Sequence, residues 1–309
     1  MNPVRPTSFV QMDIPNLGRL IAISEIQQET GSFKFRAAWN LVNHIDADHF
    51  LAASSGNFGQ ALARSAQLKG KQATIVMPTT SAQVKIDAVQ AFGAQLIFVD
   101  TQKESRASCV ERFYQQNPEC YKASAYDCEH VIKGNSTLGV EIAQSGLDID
   151  DVIVPIGGGG LSSGIIMGLR EKGSSLSVWG AEPLMGNDAA ESLRKKYLCR
   201  NALEPQTIAD GARTVSLGDR NWAILSESIQ GIFEITEEEI KGSMCLLAAY
   251  GLRVEPTGAL SVAAGIRHLT SNPKRVVGCI LSGGNVDDTV YELLCRQGRD
   301  VYSNRNFWR

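Results

Sequence analysis

The chain has 309 residues, 43% of them apolar and 20% charged, with 29 glycines and 10 prolines, which excludes the disordered and low-complexity classes. Its 30 basic and 33 acidic side chains leave a formal charge of −3 and no basic block, so a nucleic-acid partner has no electrostatic footprint. At roughly 150 residues per domain, the length allows two domains or one large α/β domain.

The N-terminal stretch carries Arg5, Asp13 and Arg19 among prolines and has no apolar h-region, so no secretion signal is read. Apolar or β-branched runs predict strands at Arg19–Ser24, Phe50–Ala53, Ala73–Met77, Gln95–Val99, Val152–Pro155, Ser177–Ala181, Gly231–Ile235 and Arg275–Leu281. Helical periodicity between them covers Gly56–Leu68, Ser81–Phe92, Glu104–Gln115 and Glu237–Tyr250. Strands separated by helices of this length argue for parallel sheets built from βαβ crossovers. Consecutive apolar positions, as in Val152-Ile153-Val154, suit strands covered on both faces. Gly70 and Gly93 stand where a left-handed helix C-cap favours glycine. Thr236 and Glu239 form a capping box.

One uncharged run, Val152 to Leu169, reaches 18 residues, but Pro155 and four consecutive glycines argue against a membrane span. Seven cysteines (109, 120, 128, 199, 245, 279 and 295) include no CxxC pair. Their odd number and irregular spacing predict reduced thiols in a cytoplasmic protein. With the four histidines (44, 49, 130 and 268) they form no metal-ligand spacing.

Four turns rich in glycine or hydroxyls fall where a strand hands over to a helix, the place where open α/β sheets hold ligands. In Glu29-Thr30-Gly31-Ser32-Phe33-Lys34-Phe35-Arg36, the lysine opens an apolar helix, at the dipole end that favours anions. Lys34 reads either as a solvated side chain or as one whose charge is removed by Schiff-base formation. In Ala53-Ser54-Ser55-Gly56-Asn57-Phe58-Gly59-Gln60, donors at a helix start suit a carboxylate. An ordinary serine N-cap fits the same residues. The run Val154-Pro155-Ile156-Gly157-Gly158-Gly159-Gly160-Leu161 would let several N–H groups crowd a phosphate dianion. A dinucleotide fingerprint fails there, because Leu161, Ser162 or Ser163 interrupts G-x-G-x-x-G in every register. In Leu281-Ser282-Gly283-Gly284-Asn285, the serine either caps a helix or faces a heterocyclic nitrogen.

Taken in order, the Thr-Gly-Ser-Phe-Lys block, Ser-Ser-Gly-Asn, the tetraglycine, Glu255–Ala259 (Glu-Pro-Thr-Gly-Ala) and Ser-Gly-Gly-Asn resemble the fold-type II pyridoxal-phosphate enzymes. The likeness is greatest to the serine/threonine dehydratase and serine racemase branch. It runs from about Thr7 to about Val290 and includes Ile208-Ala209-Asp210-Gly211 and Ala181-Glu182-Pro183 with Asp188. The resemblance implies an α/β fold of two open, mostly parallel twisted sheets flanked by helices, as in tryptophan synthase β. It implies a large cofactor domain, residues 1–43 and 138–309, and an inserted small domain, 44–137, that carries the Ser-Ser-Gly-Asn loop and closes over substrate. No regulatory extension is expected after Asn285. Family members are commonly dimers, so a homodimer is implied.

Residue by residue, the resemblance gives Lys34 the imine link to pyridoxal 5'-phosphate and a catalytic role. It lays Phe33 against the pyridine ring, Asn57 on the phenolic oxygen and Ser282 on the ring nitrogen. Gly157, Gly158, Gly159 and Gly160, with the N–H of Leu161, would cradle the phosphate. Ser54, Ser55, Gly56 and Asn57 would bind the substrate carboxylate, with Arg106 a second-sphere candidate. Glu182, the carbonyl of Gly186 and Asp188 match a divalent-cation site suited to Mg²⁺ or Ca²⁺. Two surface carboxylates are the plain alternative.

A hydroxyl at the ring nitrogen is a poorer electron-sink partner than a carboxylate, so the expected activity is β-elimination. A small hydroxy amino acid such as L-serine or L-threonine would give a 2-oxo acid and ammonia. Ser55 raises the alternative of a racemase, because a serine there delivers a proton to the opposite face of Cα in that branch. β-Replacement synthases typically carry Asn-Pro-Ser-Gly-Ser, against Gln28-Glu29-Thr30-Gly31-Ser32 here. A non-catalytic cofactor-binding protein would be expected to lose Lys34 or the serine-asparagine loop. Two departures leave the preferred substrate open: Phe58 replaces the usual histidine, and Gly134-Asn135-Ser136-Thr137 replaces Gly-Gln-Gly-Thr.

Overall fold

The structure, a computed structural model, describes residues 2–54, 56–81 and 83–302. The first half runs β1 (Ser8–Ile14), β2 (Gly18–Ser24), α1 (Lys34–His44), β3 (His49–Ala53), α2 (Asn57–Leu68), β4 (Gln72–Pro78), α3 (Gln83–Ala91), β5 (Gln95–Val99), α4 (Arg106–Gln116) and β6 (Tyr121–Lys122). The second runs α5 (Glu129–Ala143), β7 (Asp151–Pro155), α6 (Gly160–Glu171), β8 (Ser177–Pro183), α7 (Asp188–Lys195), α8 (Asp219–Ser228), β9 (Ile232–Ile235), α9 (Glu237–Ala249), α10 (Pro256–Ser271), β10 (Val276–Leu281) and α11 (Asp288–Gly298).

The strands form two sheets, ordered β1-β2-β10-β7-β8-β9 and β5-β4-β3-β6. Among the strand pairs of the described residues, only β1–β2 is antiparallel. All eight predicted strands are present, and each is largely apolar because helices cover both faces of a parallel sheet. Two strands escape the sequence reading. Along β1 polar and apolar residues alternate, and only Met12 and Ile14 are buried, as on an edge strand. Strand β6 is two residues long.

The uncharged run from Val152 is divided between β7, a glycine turn and α6. Among the described residues, no helix is long and apolar enough to cross a membrane. Gly70 and Gly93 have positive φ (64° and 76°) just after helices α2 and α3. The Thr236–Glu239 capping box is formed.

Core residues of the larger sheet fall into two clusters. One joins Leu20, Val277 and Cys279 to α9 and α10; the other joins Ile23, Val152 and Ile280 to α5 and α6. In the smaller sheet, Phe50, Ala52, Ile75 and Met77 pack with α2 and with Phe35, Ala37, Ala38, Leu41 and Val42 of α1. Helix α1 therefore packs in the smaller sheet's core although the strand before it, β2, lies in the larger sheet.

Candidate active site

Three of the four turns meet because their strands are neighbours. Strands β2, β10 and β7 are adjacent and parallel, so the chain after each emerges at the same sheet edge. The lysine turn is stapled to the Ser-Gly-Gly-Asn turn by backbone bonds, Phe33 N–H to Ser282 O (3.0 Å) and Gly284 N–H to Gly31 O (2.9 Å). The fourth turn follows β3 and is drawn in by side chains. Asn285 Nδ2 donates to Asn57 Oδ1 (2.8 Å) and to Thr30 O (2.8 Å), and Asn57 Nδ2 donates to Glu255 Oε1 (2.7 Å).

Lys34 is the first residue of α1, with no acidic residue in that turn. Its Nζ donates to the Ala125 carbonyl (2.8 Å) and lies 5.0 Å from the Phe33 ring centre and 5.8 Å from that of Phe58. Burial disfavours the ammonium form and pulls the amine down to about 8, against an upward pull from Glu255. Glu255 is itself raised to about 8, first by burial and then by Asp210.

Phe33, Lys34, Tyr126, Pro155, Gly157, Gly158, Gly159, Gly160, Leu161, Gly211, Thr257 and Ser282 line one cleft. Helix α6 starts at Gly160, so the N–H groups of its first turn have no intrahelical acceptor. Gly159 takes φ +88°, and a Cβ on it would come 2.8 Å from Asn221. A Cβ on Gly158 would come 2.2 Å from the Tyr126 ring. The loop carbonyls are held from outside: Asn221 Nδ2 donates to Gly158 O (2.7 Å) and Asn135 Nδ2 to Gly160 O (3.0 Å). The Ser282 hydroxyl is buried and has no partner. A ring of unclaimed N–H groups, a lysine with a lowered pKa and an orphaned hydroxyl fit a small phosphorylated heterocyclic aldehyde.

Among the other predicted site residues, Ser54 accepts from the N–H of Gly59 (2.9 Å) and of Gly56 (3.3 Å), so its oxygen caps the start of α2, for which Gly56 is the N-cap. The Ser55 expectation lies outside the described residues. Arg106 Nη2 donates to Glu204 Oε2 (2.9 Å), an ion pair between helix α4 and a loop that follows α7. Tyr126, Glu255, Gly211 and Thr257 were given no role from the sequence. The Glu-Pro-Thr-Gly-Ala and Ala-Asp-Gly blocks were the only signal for the last three, and Tyr126 had none.

At the expected cation site, Glu182 accepts from the N–H of Ala190 (2.7 Å) and Ala189 (3.1 Å) at the start of α7. Asp188 accepts from Leu217 N–H (3.0 Å) and Asn201 Nδ2 (2.9 Å). Both are buried, as is Gly186, and among the described residues no basic side chain pairs with either carboxylate. Burial pushes Glu182 well up and Asp188 to about 6. Two buried carboxyl groups with no basic partner among the described residues fit an oxygen-liganded divalent cation, which would hold both in their ionised form. The structure also gathers a group that sequence spacing does not show. A ring nitrogen of His49, a Glu119 carboxylate oxygen and the Cys120 sulfur lie within 4.8 Å of one another, because β3 and β6 are neighbours.

A parallel-sheet fold with a lysine, a glycine turn and a hydroxyl at one sheet edge fits the class of enzymes that use a phosphorylated aldehyde cofactor. The family model described as pyridoxal-phosphate dependent enzyme matches residues 3–283, and the chain belongs to that family. It is 37% identical over 276 residues to a serine racemase from Homo sapiens, covering 86% of this chain and 81% of the relative. It is 35% identical over 272 residues to an L-threo-3-hydroxyaspartate ammonia-lyase from Saccharomyces cerevisiae, covering 86% and 83%. A solved structure of threonine deaminase isoform 2 from Solanum lycopersicum superposes with a TM-score of 0.84 at 25% identity, covering 93% of this chain and 88% of the other. Racemases and ammonia-lyases are thus both among its relatives.

Proposed function

We propose that the chain catalyses pyridoxal-phosphate-dependent β-elimination from a hydroxy amino acid such as L-serine or L-threonine, giving a 2-oxo acid and ammonia. The observation that carries this reading is the buried, partnerless Ser282 hydroxyl in the cleft that also holds Lys34 and the glycines. When bound, the cofactor supplies an aldehyde for the substrate amine and a ring that draws electrons from Cα. Gly157 to Gly160 and the Leu161 N–H would hold its phosphate, Phe33 its ring face and Asn57 its phenolic oxygen. Ser282 would meet the ring nitrogen. A hydroxyl is too weak an acid to keep that nitrogen protonated, so loss of a β-leaving group is favoured over long-lived charge at Cα. Lys34, poised at about 8, takes the Cα proton near neutral pH.

Ser54, Ser55, Gly56 and Asn57 would orient the substrate carboxylate, and Arg106, tied to Glu204, would act only from a second sphere. Glu182, Gly186 and Asp188 would hold Mg²⁺ or Ca²⁺. The reading takes residues 44–137 as a small domain closing on the rest, in a cytoplasmic homodimer. Racemisation of serine or a related amino acid is the second reading, favoured by the racemase relatives and by Ser55 as proton donor.

The test is to incubate the cofactor-loaded protein with a panel of hydroxy amino acids and follow 2-oxo acid, ammonia and chirality together. Ammonia and 2-oxo acid that disappear in Lys34→Ala support the lyase. D-serine formed from L-serine without pyruvate overturns it in favour of the racemase. Absence of all three products marks a non-catalytic cofactor-binding protein.

A further inference from the structure

Across the cleft from the glycine turn, helix α3 of the smaller sheet presents Lys85. Its Nζ donates to Asp210 Oδ2 on the 3₁₀ turn Asp210–Ala212, which follows the larger sheet's β8. A Cβ placed on Gly56 would lie 4.0 Å from that same nitrogen, so the ammonium stands beside the proposed carboxylate loop. The next residue, Gly211, lines the cofactor cleft and donates its N–H to Thr257 Oγ1 (3.0 Å), two residues beyond Glu255. Glu255 receives the Asn57 amide and is held at the N-terminus of α10, where its N–H donates to Gly283 O (3.1 Å). A continuous path of bonds thus leads from Lys85 through Asp210, Gly211 and Thr257 to the element that holds Asn57.

We propose that Lys85 and Asp210 are a cross-cleft positioning pair, which clamps Gly56 and Asn57 on the smaller sheet's side against the cofactor cleft and, through the bond from Asn57, steadies Glu255. The proposal rests on the functional reading above and goes beyond it, because neither residue contacts the cofactor cleft through its side chain. Among the described residues, the charges that act on Glu255 are those of Asp210 on the 3₁₀ turn, Lys85 on α3 and Lys34 on α1, and the neutral Asn57 of α2 is bonded to it. Asp210 raises the Glu255 pKa, whereas Lys85 and Lys34 lower it. Removing Lys85 therefore favours the protonated Glu255, and removing the Asp210 charge favours the carboxylate. A pair that only supported the fold would not produce shifts of opposite sign.

The experiment follows the Glu255 carboxyl by infrared difference titration in cofactor-free protein, with Glu255→Gln marking the band. In Lys85→Met the midpoint rises by about one pH unit; in Asp210→Asn it falls by a similar amount. The double variant returns close to the parent. In the loaded enzyme, Lys85→Met raises KM for the amino acid about tenfold, the loss of one charge-assisted bond, with kcat changed less. Lys85→Arg restores it. Equal midpoints in folded Lys85→Met and Asp210→Asn, or an unaltered KM in Lys85→Met, overturn the proposal. If the parent takes up no cofactor or turns nothing over, the functional reading has failed, and the Glu255 midpoints still decide the pair.

Discussion

Lys34 sits at the end of a helix where its charge is least favoured, within a site that removes it from water. Both influences work toward the neutral amine, the form needed to attack an aldehyde and to accept a proton. Uptake of pyridoxal phosphate by cofactor-free protein should accelerate with pH through a midpoint at about 8, where an unperturbed lysine would show 10.5. Stopped-flow uptake followed from roughly pH 6 to roughly pH 11 takes in both values and reads this directly. A midpoint at 10.5 would mean that burial has no hold on the amine. The sign for stability follows. Between about 8 and 10.5 the unfolded chain keeps a proton that the folded lysine has lost, so the cofactor-free fold gains stability as pH rises through that window.

At the scale of elements, the glycine turn packs so closely against Tyr126 that Gly158 has no room for a Cβ. Gly158→Ala drives a methyl into that ring, an overpacking cost of about 1–3 kcal/mol. Cofactor affinity, followed by absorbance titration, should weaken about tenfold or more, whereas Gly146→Ala, far from any neighbour but at φ +69°, should alter stability and leave affinity unchanged. Helix α1 owes its placement to Arg36, which is 1% exposed and bonds Glu25 (2.7 Å) beneath it and Glu141 of α5 (2.6 Å) beside it. Arg36→Met strands the buried Glu25, and denaturant unfolding should show a loss of about 3–5 kcal/mol; Arg36→Met with Glu25→Leu should recover much of it. These elements differ in how far the sequence exposes them. Buried parallel strands such as β7 are plain because every position is apolar, and glycine runs are plain because little else explains them. Edge strand β1 hides behind Gln11 and Asp13. Glu255 stands out only as part of its block and Lys85 not at all, and the roles of both are hidden for another reason. Their roles come from partners 198 and 125 residues away, Asn57 and Asp210, and only the folded sheets bring them together.

Over the whole molecule, the proposed cation site and the cofactor cradle are linked by one short segment. Asp188 accepts the Leu217 N–H (3.0 Å); the next residue, Gly218, donates to Gly158 O (3.1 Å), and Asn221 at the start of α8 holds that same carbonyl. Asp188 and Glu182 repel each other when both are ionised in a buried setting, so the segment from Leu217 to Asn221 is anchored to an electrostatically unfavourable pair. A divalent cation between them relieves the repulsion in the folded state alone. At a hundredfold excess over its Kd it should stabilise the fold by about 2.7 kcal/mol, which for a chain of this size is a rise of several degrees in Tm. Because the anchor reaches Gly158, Mg²⁺ or Ca²⁺ should also tighten cofactor binding, and the cofactor should tighten cation binding by the same factor. Calorimetric scans with and without a chelator, on the parent and on Asp188→Asn, check both expectations. A Tm that ignores Mg²⁺ and Ca²⁺ in the parent removes the cation from the site. A Tm that rises equally in Asp188→Asn places the cation elsewhere on the molecule.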